Sequence, residues 1–208
     1  MFLLIDYQMG NLRSVAKALE KVGATVAVRT CPPDHLRDLD AVILPGVGHF
    51  AAAMHNLRAA GWVDFLAAAR AQEIPYLGLC LGLQVLYAAS AEAPGVPGLG
   101  VIDGTVARFP ATTATGDKLI VPHMGWNQVQ HDGTDPIWAG LAAGTSFYFV
   151  HSFYAPVGPA ASAACTYGVP FAAAVRQGCV RGCQFHPEKS QAAGLQLLGN
   201  FVREVHRS

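Results

Sequence analysis

The sequence predicts an α/β fold with a central, largely parallel sheet covered by helices on both faces and additional antiparallel strands in the second half. Three observations carry this expectation. Through the first half, short apolar runs alternate with stretches of helical periodicity, the pattern of parallel strands joined by crossover helices. In the middle, Gly78-Leu79-Cys80-Leu81-Gly82 joins the strand-like Ile74-Pro75-Tyr76-Leu77 to the helix-like Gln84-Val85-Leu86-Tyr87-Ala88-Ala89, a sharp strand-to-helix junction. Beyond residue 100 the runs become short, β-rich and punctuated by turn residues, which favours antiparallel pairing.

Each element has its own signal. Phe2 to Ile5 is an uninterrupted apolar run and reads as a strand. Asn11 to Val22 reads as a helix, because Leu12, Val15, Ala16 and Leu19 recur at helical spacing and Gly23 stops it. Thr25 to Arg29 and Ala41 to Leu44 read as strands, the latter ended by the turn Pro45-Gly46-Val47-Gly48. Phe50 to Leu57 and Val63 to Ala71 read as helices that lead to the strand before Cys80. Ala91 to Gly100, with two prolines and three glycines, reads as a loop. Val101 to Phe109, Trp126 to Gln130, Ser146 to Val150, Ala161 to Tyr167 and Ala172 to Arg176 read as strands, with a loop at Pro110 to Asp117. Val180 to Phe185 is a last strand, and Ala192 to Val205 a closing helix.

Bulk properties narrow the function classes. The 208 residues suit one domain spanning 1–208, and no linker or repeat divides them. Lys+Arg and Asp+Glu both total 14, so the formal charge is zero, which argues against a basic footprint for nucleic acid. Small molecules or protein partners are the expected ligands. Only 13% of residues are charged, and the 52% hydrophobic content fits either an apolar interface or an alanine-rich composition. Five scattered cysteines without C-x-x-C spacing fit a reducing, cytoplasmic setting rather than a metal or disulfide framework. Met1 to Asp6 lacks a basic n-region, and no apolar run approaches a membrane span, so a soluble chain is expected.

The junction at Cys80 also carries chemistry. A glycine on each side permits the turn that projects a nucleophile, as in the hydrolase pattern G-x-S-x-G with sulfur in place of oxygen. A helix beginning at the cysteine favours the thiolate, the reactive form. Far downstream, Gly182-Cys183-Gln184-Phe185-His186-Pro187-Glu188 offers an imidazole and a carboxylate two residues apart. His186 is then the candidate base for the Cys80 thiol and Glu188 the group that orients it. For an oxyanion, the N–H of Leu81 is the usual elbow donor, and Val47 or Gly48 in the glycine-flanked turn is the second. A lone cysteine is usually a packing residue and a lone His-Pro-Glu a surface turn, but all these segments converge on the carboxyl edge of one sheet. Cys179 and Cys183 lack an elbow and read as strand-core residues.

Leu77-Gly78-Leu79-Cys80-Leu81-Gly82-Leu83-Gln84 and Gln184-Phe185-His186-Pro187-Glu188 resemble the two signatures of class I, triad-type glutamine amidotransferases. Four further stretches, Asp6-Tyr7-Gln8-Met9-Gly10-Asn11-Leu12-Arg13-Ser14-Val15, Leu44-Pro45-Gly46-Val47-Gly48, Pro122-His123-Met124-Gly125-Trp126-Asn127 and Tyr148-Phe149-Val150-His151-Ser152, are similar to the glutaminase subunits of imidazole glycerol phosphate synthases. The matches run in order over nearly the whole chain. Gln8, Leu79, Leu83 and Phe153 depart from the Gly, Ile, Met and Tyr more common in that subfamily, and none of them touches the triad.

The resemblance implies a Cys80-His186-Glu188 triad that hydrolyses L-glutamine through a glutamyl thioester, with no metal and no organic cofactor. It implies a glutamine pocket lined by Gly46, Gly48, Gln84, Glu92, His151 and Ser152. It further implies a heterodimer with a (β/α)8-barrel cyclase that uses the ammonia, docked on Asn11, Arg13, Pro122, His123, Met124, Gly125, Trp126 and Asn127. On residue chemistry alone, Arg13 reads as a solvated helix face and His151-Ser152 as a polar strand end. The glutaminase partner of pyridoxal phosphate synthase or of another amidotransferase, a stand-alone γ-glutamyl hydrolase and a non-catalytic subunit with a relic triad stay open at this point.

Overall fold

The structure is a computed structural model that describes residues 1–207. In chain order its elements are β1 (Phe2–Ile5), α1 (Leu12–Lys21), β2 (Val26–Arg29), β3 (Ala41–Leu44), α2 (Phe50–Ala59), α3 (Trp62–Ala71), β4 (Tyr76–Leu79), α4 (Leu81–Gln84), β5 (Tyr87–Ser90), β6 (Ile102–Arg108), β7 (His123–Val129), β8 (Thr145–His151), β9 (Phe153–Tyr154), β10 (Ala161–Tyr167), β11 (Val169–Gln177), β12 (Val180–Cys183) and α5 (Gln191–Val205). A seven-stranded sheet in the order β10-β11-β12-β4-β3-β1-β2 forms the centre. Its five strands from β12 to β2 pair in parallel, and β10 and β11 add antiparallel at one edge.

The pleat of the sheet explains the two helical layers. Alternate residues of a strand face opposite sides, so Leu3, Ile5, Val42 and Leu44 pack under α2 and α3 with Phe50, Met54, Trp62 and Leu66. Their neighbours Phe2, Leu4, Ile43 and Leu77 meet α1 and α5 through Val15, Leu19, Leu197 and Phe201 on the other face. Continuous apolar runs are what two covered faces demand. Each large side chain so buried contributes roughly 1.5–3 kcal/mol. Arg181 breaks the apolar run of β12, but its buried guanidinium is bonded to Asp135 at 3.0 Å and to Glu204 at 2.6 Å.

One expectation needs correction. The helix after Cys80 does not extend over Gln84–Ala89: α4 is a single turn of four residues, and Tyr87–Ser90 is a strand. The reason is tertiary. The Leu86 carbonyl accepts from both Val101 and Ile102 N–H groups, and β5 then pairs with β6 in parallel, outcompeting the helical alternative. The antiparallel pairing expected beyond residue 100 is present in β7–β8, in β6–β9 and along the β10-β11-β12 edge. The carboxyl ends of β3, β4 and β12 lie side by side, and the candidate residues cluster there.

Candidate active site

Cys80 sits between β4 and α4 with φ 53° and ψ −104°, a backbone state that L-residues rarely adopt. The positive φ thus falls on the cysteine itself. The flanking glycines serve close approach instead: a Cβ on Gly78 would run into the Gly82 carbonyl, and one on Gly82 into the Leu44 carbonyl. The turn is pinned by the Cys80 N–H, which donates to the Cys183 carbonyl of β12 at 2.7 Å. Because α4 is one turn long, the dipole support expected from a full elbow helix is reduced.

His186 follows β12 and is braced from three directions. Its N–H donates to the Tyr148 carbonyl at 2.9 Å, and its own carbonyl accepts from Ser190 Oγ at 2.7 Å. That hydroxyl in turn accepts from the Tyr148 N–H at 3.0 Å, so β8 and the start of α5 clamp the histidine backbone. Pro187 opens a 3-10 turn over Pro187–Lys189 that folds Glu188 back onto the ring, with Nδ1 to Oε1 at 2.8 Å. Nε2 is left buried with no nitrogen or oxygen partner, as the nitrogen that serves the thiol must be. Burial alone would lower the His186 pKa; interaction with the Cys80 sulfur and with Glu188 outweighs it and pushes the value up to about 10. The site therefore favours a protonated His186 imidazolium beside the Cys80 sulfur.

Cys80 opens onto a cavity of about 400 Å³, within the size range of small-molecule sites. Val47, Gly48, Leu81, Gln84, Glu92, His151 and Ser152 line it, as do Pro122, Val150 and Phe153, which the sequence reading did not place there. Gly46 stands behind the lining, with Tyr7 Oη and Leu81 Cβ occupying the space a side chain would need. Tyr7, another residue missed from sequence, donates to the Pro45 carbonyl at 2.8 Å and so fixes the start of this turn. The Leu81 N–H donates to the Gly46 carbonyl at 3.3 Å. One of the two expected oxyanion donors is thus occupied by the turn expected to supply the other.

Hydrogen-bond accounting limits what the pocket residues have left for a ligand. Gln84 Nε2 donates to the Phe153 carbonyl at 2.9 Å and to Gln184 Oε1 at 3.1 Å, which spends both its hydrogens and leaves its oxygen as an acceptor. Glu92 Oε2 accepts from the Phe50 N–H at 2.8 Å, so this carboxylate also caps α2. His151 Nδ1 lies 2.8 Å from the Phe153 carbonyl and must carry the proton, so its Nε2 accepts from His123 Nδ1 at 2.9 Å. Both nitrogens are used, and His151 meets the cavity as a ring wall rather than as a polar ligand. Burial pulls the pKa of His123 down to about 4 and that of His151 down to about 3, which keeps both neutral near pH 7.

Among the described residues, no group of three or more His, Cys, Asp or Glu is placed to hold a metal ion. The model of the glutamine amidotransferase class-I family matches residues 3–205. The chain belongs to the class I glutamine amidotransferase family. Within that family it is 50% identical over 206 residues to the imidazole glycerol phosphate synthase subunit HisH of Methylococcus capsulatus, covering 96% of this chain and 94% of that one. The HisH subunit of Deinococcus radiodurans is 45% identical, covering 98% of this chain and 93% of the other, and that of Syntrophotalea carbinolica 47%, covering 97% and 98%. Among solved structures, a glutamine amidotransferase crystal structure superposes with a TM-score of 0.73 at 22% identity, covering 98% of each chain. PurLQS from Thermotoga maritima does so at 0.70 and 19%, covering 99% of this chain and 97% of the other. At such identities these two speak for the class I amidotransferase fold alone.

The residues expected to face a partner divide into two sets. On β7, Met124 and Trp126 are 64% and 49% exposed, an unusual pair of large apolar side chains to leave in water. Asn11 caps α1 by accepting from the Ser14 N–H, and Arg13 is exposed beside it. Pro122 is exposed, while Gly125 and Asn127 are half-buried. His123 does not belong to this face. It is buried, its ring stacked on Tyr167 at 4.1 Å and on Phe149 at 4.9 Å, because residues alternate along β7 and His123 falls on the inward phase. Among the described residues, no helix of this amidotransferase is long and apolar enough to cross a membrane.

Proposed function

We propose that this chain, acting as one domain, is the glutaminase subunit of a cytoplasmic imidazole glycerol phosphate synthase and hydrolyses L-glutamine through a thioester on Cys80. The supporting observation is the placement of His186, held at 2.8 Å by Glu188 and polarised by the Cys80 sulfur at the floor of an amino-acid-sized cavity. The thiolate attacks the carboxamide carbon, forming a C–S bond and an oxyanion. The imidazolium protonates the leaving nitrogen, the C–N bond breaks, and ammonia departs. Neutral His186 then takes a proton from water as the water oxygen bonds to the thioester carbon; the C–S bond breaks, glutamate leaves, and the thiolate and imidazolium are restored. Glu188 holds the tautomer throughout. The free Gln84 oxygen and the Glu92 carboxylate suit the ammonium end of glutamine, and no step calls for a metal or organic cofactor.

The exposed Met124 and Trp126 fit a protein partner, which we take to be a (β/α)8-barrel cyclase that consumes the ammonia in a one-to-one complex. The Leu81 N–H bonded to Gly46 suits a subunit kept idle until that partner is loaded. Turning the Gly46-Val47 peptide would release this donor and swing the Val47 N–H toward the cavity. Glutamate release from glutamine should therefore be slow for the isolated chain, faster with the cyclase, and fastest with cyclase and its bound substrate, with steps of tenfold or more. Equal rates in all three assays would remove the idling peptide and the partner dependence together. Rapid hydrolysis by the isolated chain would favour a stand-alone glutaminase.

A further inference from the structure

We infer that Gln184 is a catalytic residue in its own right: a buried amide donor that holds the Cys80 sulfur, distinct from the general base, and favours its thiolate. Gln184 Nε2 lies 3.6 Å from Cys80 Sγ, and the residue is fully buried. It stands two positions before His186 with Phe185 between them packed into the core, so the short segment that follows β12 carries both groups.

Amide orientation is often ambiguous, because O and N of a glutamine side chain look alike. Here the hydrogen-bond chain settles it. The Phe153 carbonyl can only accept, so the Gln84 atom 2.9 Å away is its nitrogen. That same nitrogen lies 3.1 Å from Gln184, whose facing atom must then be its oxygen. The other end of Gln184, the NH₂, is left pointing at the sulfur. Backbone contacts fix the position further, since the Gln184 N–H donates to the Ala173 carbonyl at 2.8 Å. A hydrogen bond from a neutral donor to an ion is roughly twice as strong as one to a neutral acceptor. The amide therefore stabilises the thiolate over the thiol without adding a second titrating group, whereas His186 does so by moving a proton.

The inference rests on the reading of Cys80 as nucleophile, and its test is chosen to be separable from that reading. Cys80 alkylation by iodoacetamide is followed by peptide mass spectrometry from pH 6 to 10 in the full chain bound to its cyclase. The Gln184→Met variant should be alkylated roughly tenfold more slowly at pH 7, with the gap closing as pH rises. Its kcat for glutamine should fall by a similar factor with little change in KM. Gln84→Met, which frees the Gln184 amide to rotate, should shift alkylation in the same direction by less, and serves if the first variant does not fold. Alkylation profiles of both variants that overlay the wild type would overturn the role of Gln184. Such a result would leave the nucleophile untouched, because that claim fails only if a chain lacking the Cys80 thiol still hydrolyses glutamine.

Discussion

Replacing Cys80 by alanine is expected to abolish glutamine-dependent synthesis by the complex, with a loss of about 10⁴-fold or more, while synthesis from added ammonium salts continues. The size follows from the site's division of roles. In the proposed hydrolysis the sulfur carries the acyl group between loss of ammonia and attack by water, and removal of a nucleophile costs about as much as removal of the whole catalytic group. Alanine keeps the Cβ and the strained φ of 53°, and the turn remains pinned to Cys183 at 2.7 Å, so the partner surface on β7 should be intact. The ammonium-supported rate is the internal control for assembly. If both rates fall together, the effect is one of folding; if glutamine-dependent synthesis survives, Cys80 is not the nucleophile.

Glu188→Gln is expected to lower kcat by about 10²- to 10⁴-fold with a much smaller change in KM, the upper end being the loss when the orienting carboxylate of a serine-protease triad becomes an amide. The carboxylate is 3% exposed and 2.8 Å from His186 Nδ1, so its charge acts with little screening by water. Burial opposes a charged His186, and the Cys80 sulfur and Glu188 together raise its pKa to about 10. With the carboxylate gone, that pKa should fall. The imidazolium needed to protonate the departing nitrogen is then scarce at neutral pH. A steady-state comparison with the wild-type complex, including the pH dependence of kcat, checks this. Rates within about threefold would mean that Glu188 is structural.

Most of the scaffold was legible because its signals are local. β1, β3 and β10 begin and end where the sequence reading places them, since each run stops at a polar residue or a chain breaker, Asp6, Pro45 and Gly168. The elbow, too, is written in a contiguous stretch around Cys80. The one-turn length of α4 was not legible, because the competing strand pairing of Tyr87–Ser90 with β6 depends on residues beyond a loop. Likewise, Gln184 is invisible as a site residue until Gln84 and Phe153, both remote in the chain, fix its amide. The bond between Leu81 and Gly46 has no sequence signal, since a peptide turned either way has the same residues. His123 is different. Counting by two from the exposed Trp126 would have turned it inward, together with Asn127 and Val129, so the signal was present in the strand period.

On the proposed function, a thiol at position 80 handles glutamine on behalf of a second subunit. The most direct measurement is labelling of the cyclase-bound chain with a glutamine analogue that carries an electrophilic carbon in place of the carboxamide. Peptide mapping should find one adduct per chain, on Cys80 and not on Cys179 or Cys183; excess glutamine should block it, and glutamine-dependent synthesis should fall in step while ammonium-dependent synthesis persists. Labelling at another residue, or full labelling of Cys80 with the glutamine-dependent rate preserved, would contradict the account.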